Sequence, residues 1–123
     1  MTKKIKMITP NDEYLIELND TKTAMEIWDA LPFEAYTNVW GAEIYFEIPI
    51  AAELERGKTL MEVGEVAFWP DGNALCLFYG PTPVSRSNKP EAISKVTPVG
   101  RILGDPGRLK NVGDRMRVIL ERA

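Results

Sequence analysis

Histidine is absent from the 123 residues, and Cys76 is the only cysteine. That removes every His-assisted serine or cysteine nucleophile, together with the commonest general base and metal ligand. Cys76 sits in the apolar run ALCLF, so no intramolecular disulfide can form and a buried, unreactive thiol is expected. Chemistry is left to carboxylates, arginines and aromatic rings. Glu43 and Glu47 share one face of AEIYFEI, roughly 13 Å apart along a strand, which exceeds the separation of paired glycosidase carboxylates. Nothing organises these acids into a metal site, and no catalytic residue, metal or cofactor is assigned. Gly-Asp-Pro-Gly at 104–107 reads as turn chemistry and not as a phosphate-cradling loop.

Charge narrows the partners. The net charge is −3, and no basic residue stands between Lys22 and Arg56, where Glu26, Asp29, Glu34, Glu43, Glu47, Glu53 and Glu55 all fall. An acidic centre is a poor surface for tracking phosphates, so nucleic acid is not expected as a partner. No apolar run approaches the roughly 18–20 residues that cross a bilayer. The opening MTKKIKMITP has lysines without a following apolar stretch, which predicts a cytoplasmic protein without membrane association. Oligomeric state is not legible.

The elements that must position these groups are short. KIKMI and EYLIEL flank Asn11-Asp12 and predict a hairpin over residues 4–18. Thr23-Ala24-Met25-Glu26 matches a capping box, with Thr23 as the expected N-cap. Ala24, Ile27, Trp28 and Leu31 then form one apolar stripe before Pro32 stops the helix. EAYTNVW and AEIYFEI read as strands around Trp40-Gly41, and AAELERGKTL as an irregular or weakly helical connector. GEVAFW and NALCLFYG flank Pro70-Asp71-Gly72, a turn in which Pro presets φ and Gly is expected to take a positive one. Residues 81–95 read as a polar loop of the length that often serves function. VTPVGRIL and RMRVILERA close the chain as strands, around a helical turn in GDPGRLKNVGD. One domain over 1–123 follows, mainly β: about eight antiparallel strands, one helix and one short helix, expected to close into a small β-barrel without free edges.

In that order the pieces resemble a cyclophilin. IELNDTKTAMEIWDAL is similar to the family's second strand and first helix, GEVAFW with the following strand and PTP to its mid-barrel hairpin and exit loop, and VGRILGDPGRLKNV to its late strand and short helix. With IYFEIP and WPDGNALCLFYGPTP, the whole chain resembles more closely a prokaryotic cyclophilin-like family of short single-domain proteins that lack the isomerase signature. Prolyl isomerases carry Phe-His-Arg after the first helix and then Gln-Gly-Gly-Asp. Neither occurs in FEAYTNVWGAEIYFEIPIAAELERG, and the later pocket tryptophan and histidine are missing from VSRSNKPEAISK. Twisting an X-Pro amide over its barrier of roughly 20 kcal/mol needs a donor aimed at the amide's changing charge, and Glu43 and Glu47 would offer acceptors.

The resemblance implies a ligand groove on the outer face of the barrel. Alternation sends Glu43, Tyr45, Ala67, Trp69, Cys76 and Phe78 to that face, and Phe46, Phe68, Leu75 and Leu77 to the core. Trp40, Tyr45, Trp69 and Phe78 are the expected aromatic walls, with Glu43 and Thr82 as polar groups at the edge, a composition typical of ligand pockets. The implied function is binding of a peptide segment or small ligand with little or no prolyl isomerase activity. The alternatives are an isomerase in which Arg86 or Arg101 supplies the missing guanidinium, and a module docking a basic partner on its acidic face.

Overall fold

The computed structural model describes residues 2–123. Ten strands occur in chain order: β1 Lys4–Ile8, β2 Glu13–Leu18, β3 Phe33–Tyr36, β4 Asn38–Trp40, β5 Glu43–Glu47, β6 Lys58–Leu60, β7 Glu65–Trp69, β8 Ala74–Phe78, β9 Glu91–Leu103 and β10 Arg117–Arg122. The α-helix α1 spans Lys22–Ala30, and 3-10 turns cover Pro70–Gly72 and Pro106–Asn111. The strand order is β3-β10-β1-β2-β9-β7-β8-β5-β4, with β6 pairing β9 beside this path. The expected hairpin is present, with Ile5 opposite Ile16 and Met7 opposite Tyr14.

The sheet curls until its two edge strands, β3 and β4, are neighbours in the chain with only Thr37 between them. No hydrogen-bonded ladder joins these edges, so the expected closed barrel is instead a curled sheet with an open seam. The buried Thr37 shows why. Its N–H donates to Met116 O at 2.9 Å and its carbonyl accepts from Arg115 N at 2.7 Å. Its hydroxyl donates to Gly113 O at 2.6 Å and accepts from Met116 N at 2.9 Å. The backbone at the corner is thus spent on the 113–116 turn. This corner also splits EAYTNVW into two strands, and β6 emerges from the expected connector, which raises the count above eight.

Helix α1 starts two residues early. Thr21 is the N-cap, accepting from Ala24 N, and its own hydroxyl donates to Asn19 Oδ1 at 2.8 Å. Thr23 is buried, and the carboxylate at the helix start is Glu55, not Glu26. Glu55 accepts from the backbone N–H groups of Lys22 and Thr23 at 3.2 and 3.3 Å. A distant acid satisfies the free donors of the first turn and complements its dipole, a pairing that local spacing cannot reveal.

Two apolar clusters occupy opposite faces of β5, β7 and β8. The larger contains Ile44, Phe46, Phe68, Leu75 and Leu77 against Ile5, Met7, Ile16, Ile27 and Leu120. The smaller contains Met61, Ala67, Cys76, Phe78, Ala92 and Val96, with Tyr45 and Trp69 packed on it.

Candidate functional site

The smaller cluster forms the floor of a recess of about 230 Å³, lined by Trp40, Glu43, Tyr45, Trp69, Cys76, Ala92, Ile93 and Val96. Strand register assembles it. Tyr45 lies opposite Cys76, which lies opposite Ala67 on its other side. The small Ala67 and Cys76 side chains leave space above them, and the rings of Tyr45 and Trp69 stand beside it. These two rings meet edge to face, with centroids 6.4 Å apart and planes at 84°, an arrangement favoured by the aromatic quadrupole.

Each wall is held by its neighbours. Trp69 Nε1 donates to Ser94 Oγ at 2.7 Å, and Ser94 donates onward to Asp71 Oδ2 at 3.2 Å. The turn after Trp69 also departs from expectation. Asn73, with φ 48°, takes the left-handed conformation. Gly72 serves instead to make room, since a Cβ there would come within 2.6 Å of the Trp69 ring. Trp40 pairs with Glu43 across the β4–β5 turn, whose Gly41 has φ +59° and faces Thr82 Cα and Pro83 Cδ at about 3 Å from any added Cβ. Ala42 N donates to Pro81 O at 2.9 Å. The Gly-Pro-Thr-Pro segment is therefore a brace against which the Trp40 turn rests.

Glu43 is the polar group of the recess. It is 6% exposed, and its Oε1 is buried without any hydrogen-bond partner. Burial raises its carboxyl from 4.5 to about 7, and the neighbouring Cys76 thiol offsets this only in part. Burial first, and the neighbouring Glu43 second, push the Cys76 thiol far above its ordinary value, in keeping with an unreactive cysteine. The carboxyl can accept a hydrogen bond from a ligand, and its proton affinity near neutrality lets it exist in either charge state.

Of the six residues expected at the site, four meet around the recess: Trp40, Glu43, Tyr45 and Trp69. Phe78 is on the expected face but fully buried beneath it, within the smaller cluster. Thr82 is buried in its loop, with its hydroxyl donating to Glu91 O at 2.5 Å and its N–H to Ser85 Oγ at 2.9 Å. It shapes the brace and does not line the recess. Ala92, Ile93, Val96 and the orienting Ser94 come from a segment read as loop, because β9 begins at Glu91 and not after residue 95. The alternation of Ala92, Ser94 and Val96 within EAISKV was the available signal. Arg86 is paired with Glu91 at 2.9 Å and Arg101 with Glu17 at 3.0 Å, and neither lines the recess. Among the described residues no group of three or more potential metal ligands converges, and no helix is long and apolar enough to cross a membrane.

Comparison with known proteins supplies a family. The family model described as cyclophilin-like matches residues 3–121. The solution structure of a hypothetical protein from Archaeoglobus fulgidus is 36% identical, with a TM-score of 0.83 over 99% of this chain and 95% of that one. No curated protein matches the sequence significantly.

Proposed function

The chain belongs to the cyclophilin-like family, and from that premise we propose that it is a binding domain, taking a small ligand or a peptide side chain in the outer-face recess, with little or no prolyl isomerase activity. The observation that carries this reading is the aromatic recess of Trp40, Tyr45 and Trp69 around a buried, unpartnered carboxyl oxygen of Glu43. A folded chain leaves few buried polar atoms unsatisfied, and such exceptions call for an explanation. A concave, mainly apolar site with one convergent polar group is the form small-ligand sites take.

Isomerase chemistry would lack a cationic donor here. The recess lining offers a carboxyl, a thiol and a phenol but no guanidinium, so a twisted amide would meet no preorganised cation. The docking alternative also loses an acid, because Glu55 is engaged at the start of α1.

The test is chemical-shift mapping of the full chain against a panel of short proline-containing peptides and small molecules. Binders should perturb Tyr45, Trp69 and Ile93, and Trp69→Ala should weaken them at least tenfold. Binding untouched by Trp69→Ala would remove this reading. So would isomerisation of an Ala-Pro peptide above its spontaneous rate, measured without a coupling protease.

A further inference from the structure

We propose that the recess takes an organic ammonium group, a primary or partly methylated amine on a short alkyl stem, which donates an N–H to Glu43 and places its charge among Trp40, Tyr45 and Trp69. This rests on the binding reading above and names the chemistry of the ligand.

Four observations converge on it. The first is the acceptor: Glu43 is more than nine-tenths buried, lines the recess, and has an oxygen with no donor. The second is the walls. Three π-systems line one small recess, and aromatic rings attract cations through their faces. The third is the local charge. No lysine or arginine lines the recess, so no internal cation competes for the carboxylate. A second acid, Asp71, stands behind Trp69 through Ser94. The fourth is size. At about 30 Å³ per water in the liquid, a volume of 230 Å³ has room for an alkylammonium group. Ile93, 57% exposed, stands at the lining as an apolar contact for the stem.

The titratable groups facing Glu43 within the recess are Tyr45 on its own strand and Cys76 on β8. Trp40 on β4, Trp69 on β7, and Ala92, Ile93 and Val96 on β9 carry no ionisable group. The charge state of Glu43 therefore governs the site. An alkylammonium keeps its charge well beyond neutrality. Its affinity should rise severalfold from pH 6 to pH 8 as Glu43 ionises, while that of a neutral isostere should not.

The experiment titrates the full chain, at low salt and pH 8, with n-butylammonium chloride and with n-butanol, following amide shifts at Tyr45, Trp69 and Ile93. A blocked tripeptide with a central lysine and its norleucine counterpart form the second arm. The expected result is binding of n-butylammonium at least tenfold tighter than n-butanol, with the difference erased in Glu43→Gln and reduced at pH 6. A lysine peptide tighter than n-butylammonium would assign the amine to a peptide side chain; one equal or weaker would assign it to a free amine. Butanol binding as tightly as the ammonium would overturn the ammonium assignment and leave the binding reading standing. Absence of recess shifts with every one of these probes would also overturn the ammonium assignment, and the wider panel of peptides and small molecules would then decide the binding reading.

Discussion

The two faces of β5, β7 and β8 are built from the same strands and obey the same alternation, yet they are finished differently. The inner face presents Ile44, Phe46, Phe68, Leu75 and Leu77, all buried in the larger cluster and none carrying a side-chain polar atom. The outer face presents Glu43, Tyr45, Ala67, Trp69, Cys76 and Phe78, partly covered by β9 and by Met61 beside β6. There the cover is incomplete, and a buried carboxyl oxygen remains unpartnered. The inner face minimises free energy by excluding water and filling space. The outer face carries a desolvated acid that costs stability once it ionises. On the proposed binding reading, stability and function are divided between the two sides of one sheet.

Glu91 sharpens the contrast, because it too is a buried acid near this face. Its carboxylate has a partner, Arg86 at 2.9 Å, and its carbonyl accepts from Thr82. A buried acid with a guanidinium beside it is a structural device. Glu43 has only a thiol.

Substitutions should separate the faces by magnitude. Phe68→Ala, which empties a fully buried inner position, should cost about 3–5 kcal/mol, measured by urea denaturation at pH 6. Tyr45→Ala on the outer face should cost less than half as much. Equal losses would mean that the outer face is simply a second core.

Next in size is Glu43. A carboxyl moved from 4.5 to about 7 binds more protons in the folded than in the unfolded chain between those values, so stability falls as pH rises through that window. At about 1.4 kcal/mol per pKa unit, the loss by pH 8 is on the order of 3 kcal/mol. Glu43→Gln should recover about 2 kcal/mol at pH 8 and nothing at pH 4, since its amide is still a buried polar group. Parallel stability profiles for the two proteins between pH 4 and 8 would contradict a desolvated acid at this position.

Gly41→Ala forces a side chain into a left-handed backbone against the Thr82 and Pro83 brace, and should cost about 1–3 kcal/mol. It should also alter the environment of Trp40 as seen by fluorescence. Unchanged emission would show that the brace does not position that wall. The smallest effect expected is from Ser94→Ala, about 1 kcal/mol for one hydrogen bond. Its main readout is the Trp69 indole N–H resonance, which should move upfield and exchange faster with solvent. An indole signal that stayed in place would detach Ser94 from the site.

Much of this arrangement was legible in the residues. The faces assigned to Phe46, Phe68, Leu75 and Leu77 and to Tyr45, Ala67, Trp69, Cys76 and Phe78 match the two clusters, because a strand's period of two is a local property of its backbone. Four of the six expected site residues meet around one recess for the same reason. Depth was not legible. Phe78 was assigned to the groove by alternation and Thr82 as a polar group at its edge, and both are covered by segments that lie elsewhere in sequence, Met61 and β9 in particular.

By itself, the sequence determined the class of the fold, its family, the sidedness of its strands and the absence of histidine chemistry. These depend on residue type and short-range spacing alone. Tertiary structure decided the rest: that the sheet stays open at Thr37, that Glu55 and not Glu26 is the carboxylate at the start of α1, that Ser94 orients Trp69, and that Glu43 is buried with one oxygen unpartnered. Each of these depends on which distant backbone or side chain comes to lie against the residue. A hydrogen bond or its absence is a property of the pair.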